Sequence, residues 1–125
     1  LKAMVVEGGT MFMFPTWLKL MDFQYNEGEI SAKLGDYRSH LSMQPSGYFA
    51  RNCGIGASCV RRADIENRLE IGLEQIMWGS DYPPVSGREG YRNSMKSVTM
   101  NPVFSAPTES EWIMGKTALT LFNFE

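Results

Sequence analysis

The chain has 125 residues, 43% hydrophobic and 21% charged, with a formal net charge of -2. Those are the values of one modest globular domain and not of a disordered tail. The near-neutral balance, with no stripe of Lys or Arg, argues against nucleic acid or an anionic membrane as a partner, and no apolar run reaches the length of a membrane span.

In chain order, residues 1–7 (Leu-Lys-Ala-Met-Val-Val-Glu) read as a strand with almost no polar alternation, the pattern of a buried parallel strand. Gly8-Gly9 stops it and leaves Glu7 at its C-terminal end. Thr10 is placed to cap a helix over residues 11–24, with Pro15 near the first turn. Phe12, Trp17, Leu18, Leu20, Met21 and Tyr25 give that helix a broad apolar side suited to packing on a sheet. Residues 26–45 are polar and irregular and contain His40, the only histidine, which reads as a solvated loop residue.

Residues 45–51 predict a short turn of helix over an aromatic pair, Tyr48 and Phe49. Residues 52–58 predict a weak strand whose glycines call for close approach of a neighbouring element or a crowded barrel interior. Residues 62–73 predict an amphipathic helix: Ile65, Leu69 and Leu73 repeat at four-residue spacing, Arg61, Arg62, Glu66 and Arg68 face water, and Gly72 marks the end. A helix over 91–100 is broken by Asn101-Pro102. Thr108-Glu109-Ser110-Glu111 reads as a capping box for a last helix running to about Phe122, with Leu119, Leu121, Phe122 and Phe124 as docking groups. Cys53 and Cys59, without a secretory leader at the start of the chain, are expected to be reduced in a cytoplasmic setting. The start at Leu1, inside a strand and without an initiator Met, suggests a piece of a longer protein.

The segment Ile76-Met77-Trp78-Gly79-Ser80-Asp81-Tyr82-Pro83 is a short buried strand ending in a carboxylate, and Pro83-Pro84 forbids its continuation. By residue type alone Asp81 reads as a side-chain cap of the following turn. The other reading is functional, because parallel α/β folds keep their chemistry at the C-terminal ends of strands. The alternation of strands and helices predicts a parallel sheet, in which Glu7 and Asp81 leave at the same edge. Two strand spacings would put their backbones roughly 10 Å apart. Two carboxylates alone rarely hold a catalytic transition metal.

Taken together, Val5-Val6-Glu7-Gly8-Gly9, residues 45–53 (Pro-Ser-Gly-Tyr-Phe-Ala-Arg-Asn-Cys), Glu70-Ile71-Gly72, the run from Ile76 to Pro83 and the final helix over 115–124 resemble the C-terminal part of the amidohydrolase-related (amidohydrolase 2) family. That family comprises metal-dependent (β/α)₈-barrel enzymes and includes decarboxylases similar to aminocarboxymuconate-semialdehyde decarboxylase. The resemblance implies an α/β fold with a parallel sheet. Residues 1–125 would form one partial domain, the strand 6–8 portion of a TIM barrel with its helices. It implies that Asp81 is the strand-eight aspartate, a metal ligand that also accepts the proton of the metal-bound water. It further implies a divalent metal, zinc or else manganese, in the whole enzyme, and a small-molecule substrate, here a small carboxylate.

Glu7 falls where decarboxylase-like members carry a histidine, so the resemblance gives it a catalytic place as a substrate contact or as an orienting carboxylate. Pro84 stands in place of a frequent His, and Thr117 in place of an Asn. The family's His-x-His and its strand-five His have no counterpart in this sequence. The isolated chain is therefore expected to be inactive, and to self-associate through strand edges left unpaired. The alternative from another class is a non-catalytic α/β binding module, with residues 26–45 and the Gly/Pro loop after Asp81 as its contact surface.

Overall fold

The computed structural model describes residues 1–6, 11–27, 35–58, 60–80, 90–103 and 107–124. Its centre is a three-stranded parallel sheet, β1 (Ala3–Val6), β2 (Cys53–Ala57) and β3 (Ile76–Trp78), in that spatial order. Around it come α1 (Phe14–Glu27), α2 (Pro45–Asn52), α3 (Arg62–Glu66), α4 (Arg68–Ile71), α5 (Gly90–Thr99), α6 (Pro107–Glu111) and α7 (Thr117–Phe122). The predicted parallel α/β layout is what the chain adopts, and β1 and β3 are two strand spacings apart with β2 between them.

Register decides which side chains form the core. Ile55 pairs with Ile76 and Ala57 with Trp78, so these four share one face of the sheet. On that face they pack with Met11, Phe49, Ile65, Val98 and Ile113 from the helical layer. Each fully buried aliphatic side chain there contributes about 1.5–3 kcal/mol. The opposite face carries Gly54, Gly56 and Met77. A methyl group on Gly54 would lie 2.5 Å from Met77 Cε and 2.9 Å from Leu121 Cδ2. The glycine predicted to permit a close approach does so, because Met77 and Leu121 occupy the space a side chain would fill.

Several elements depart from the sequence reading. Among the described residues the apolar strand β1 is paired on one edge only, and all four of its residues are exposed. Its pattern suits burial, but no described part of this chain covers it. The first helix opens as a 3₁₀ turn, Met11–Met13, and continues to Glu27, while Trp17, Leu20 and Met21 are exposed instead of packed on the sheet.

The single helix expected over 62–73 is two helices broken at Asn67. The Asn67 amide donates to the carbonyl of Ala63 at 2.8 Å, a local bond that competes with continued winding. The break rotates the second half, so Leu69 is 70% exposed while Ile71 is buried. Arg68 does not face water: it donates to both carboxylate oxygens of Glu109, at 3.0 and 3.2 Å, with side chains 11% and 18% exposed. Gly72 ends α4 as expected, with φ of 104°, a conformation that strains any residue with a side chain.

The last helix begins at Pro107, so Thr108 is inside its first turn and is not the cap. The same helix widens into a π turn over Trp112–Lys116 before α7. Of the four docking groups, Leu121 is buried, whereas Leu119, Phe122 and Phe124 are exposed. The accessible surface of the chain is 8313 Å². No helix among the described residues is long and apolar enough to cross a membrane.

Candidate functional site

The C-terminal ends of the three strands lie side by side at one edge of the sheet. Val6 is opposite Gly56, and Ala57 is opposite Trp78. The ladder extends one step further, with the Gly79 N–H donating to the Ala57 carbonyl at 3.2 Å. Glu7 is the next residue after β1, and Asp81 comes three residues after Trp78. Both lie outside the described residues, so the structure orders the strands that lead to them and does not test their roles.

What the structure does describe is how the segments beside this edge are held. Asp64, in α3, is completely buried. One of its carboxylate oxygens accepts the N–H of Arg61 at 2.8 Å, and the other accepts the N–H of Phe12 at 2.9 Å. The first bond closes the N-terminus of α3, as an acidic residue at the third helical position commonly does. The second reaches 52 residues back, to the turn that follows the Glu7 segment. Asp64 therefore ties the connection after β1 to the connection after β2.

A second tie joins β2, β3 and α5. The indole N–H of Trp78 donates to the hydroxyl of Ser94 at 2.9 Å, and that hydroxyl donates to the buried carbonyl of Ser58. The sequence reading missed Asp64 and Ser94. For Asp64 a signal was present, a carboxylate three residues after the helix-start residue Arg61 and between the apolar Ala63 and Ile65. For Ser94 no local signal exists, since its partners are 16 and 36 residues away.

Among the described residues no group of three or more His, Cys, Asp or Glu side chains could hold a metal ion. His40 is exposed on a 3₁₀ turn, Tyr37–His40, as the sequence suggested. Cys53 is a free thiol at the start of β2. Thr117 is buried, and its hydroxyl has no partner among the described residues.

Among the described residues, cavities lie away from this edge. One is an apolar groove of about 450 Å³ between α1 and α2, lined by Phe14, Trp17, Leu18, Met21, Tyr48 and Phe49 among others. Another, about 70 Å³, lies at the N-terminal ends of the strands beside Lys2, Cys53 and Gln75. At the groove, the hydroxyl and N–H of Ser42 on the Tyr48 phenol oxygen hold the phenol below its usual pKa. On α3, the Glu66 carboxylate beside Arg62 raises the guanidinium further.

No family model matches the sequence, and no curated protein matches it. Solved structures do. The chain is similar over its full length to the crystal structure of 5-carboxyvanillate decarboxylase LigW from Sphingomonas paucimobilis, with a TM-score of 0.63 and 21% identity. At that identity the likeness is one of fold, and the fold is a TIM barrel. The chain spans 34% of the length of that structure. Its three parallel strands and their helices are thus an arc of barrel-type architecture, with the C-terminal strand ends at a common edge.

Proposed function

We propose that residues 1–125 are the strand 6–8 portion of a metal-dependent enzyme of the amidohydrolase-related family, and that the whole enzyme decarboxylates or hydrolyses a small carboxylate substrate. The observation that carries this reading is the parallel order β1-β2-β3, which brings the strands preceding Glu7 and Asp81 to one edge of a barrel-type sheet. The fold likeness to a decarboxylase supports the carboxy-lyase arm over hydrolysis. In this reading Asp81 is a ligand for zinc or manganese, and Glu7 faces the substrate.

A bound divalent metal supplies Lewis acidity. The described residues do not by themselves fit such an ion, because they contain no set of three ligating side chains and the chain has one histidine. The remaining ligands would be imidazoles from the rest of the enzyme. The exposed apolar β1 agrees with an arc whose neighbours belong to that remainder.

The test is calorimetric titration of zinc and manganese into a Cys53→Ser/Cys59→Ser chain, with and without Asp81→Asn. Weak binding is expected, and at least about tenfold weaker binding in the Asp81→Asn variant. Equal affinity in the two would overturn the assignment of Asp81. Turnover of a carboxylate substrate by this polypeptide alone would overturn the reading of it as an incomplete centre.

A further inference from the structure

We draw no further inference here: the strongest candidate, the apolar groove between α1 and α2 with the exposed Trp17, Leu20 and Met21 beside it, carries nothing, because nothing in the structure shows what covers it.

Discussion

At the scale of single residues, Asp64 has the clearest consequence. A carboxylate without exposure survives here because each of its oxygens accepts a part-buried hydrogen bond from a backbone N–H. Asp64→Ala is expected to cost about 3 kcal/mol in urea unfolding, because two donors lose their partner and each unsatisfied group costs about 1–3 kcal/mol. Asp64→Asn keeps one acceptor oxygen and is expected to cost less. A change below about 0.5 kcal/mol for the alanine variant, the range of an ordinary surface substitution, would show that the tie contributes nothing.

Among elements, the join between α4 and α6 is fixed by an ion pair with little water around it. Arg68 donates to both Glu109 oxygens and also, through its other terminal nitrogen, to the Ile65 carbonyl at 3.1 Å. Breaking a fully buried pair from one side costs about 3–5 kcal/mol, since a charge is left stranded. With 11% and 18% exposure retained, Glu109→Ala is expected to cost nearer about 2 kcal/mol. The apolar replacement Arg68→Met/Glu109→Leu is expected to recover most of it, as measured by a double-mutant cycle in thermal unfolding. If Glu109→Ala left the melting temperature unmoved, the pair would be a surface contact in energetic terms.

For the whole molecule, the decisive quantity is surface left uncovered. Uncovered surface among the described residues lies at β1, whose four residues are exposed and whose outer backbone edge meets no other described strand. An apolar open edge is a template for further strands. The unsubstituted chain is therefore expected to form species larger than a dimer as concentration rises, and Val5→Lys is expected to stop that growth. Light scattering measures both, and growth of Val5→Lys equal to that of the unsubstituted chain would sink the role of the edge.

The sequence by itself determined the elements whose cause is local. Alternation of strand and helix signals, Gly72 as a helix end, Pro45 at a helix start and the glycines of β2 all follow from backbone sterics and hydrophobic period, and they fixed a parallel α/β layout. Only the tertiary structure decided what depended on distant partners. Leu69 carried an apolar period and is exposed, because Asn67 breaks the helix and turns its second half. Arg68 reads as a water-facing charge and Glu109 as part of a capping box, yet the two meet across 41 residues. β1 has the composition of a buried strand yet is exposed here, because composition specifies the environment a strand requires and only neighbouring chain can provide it.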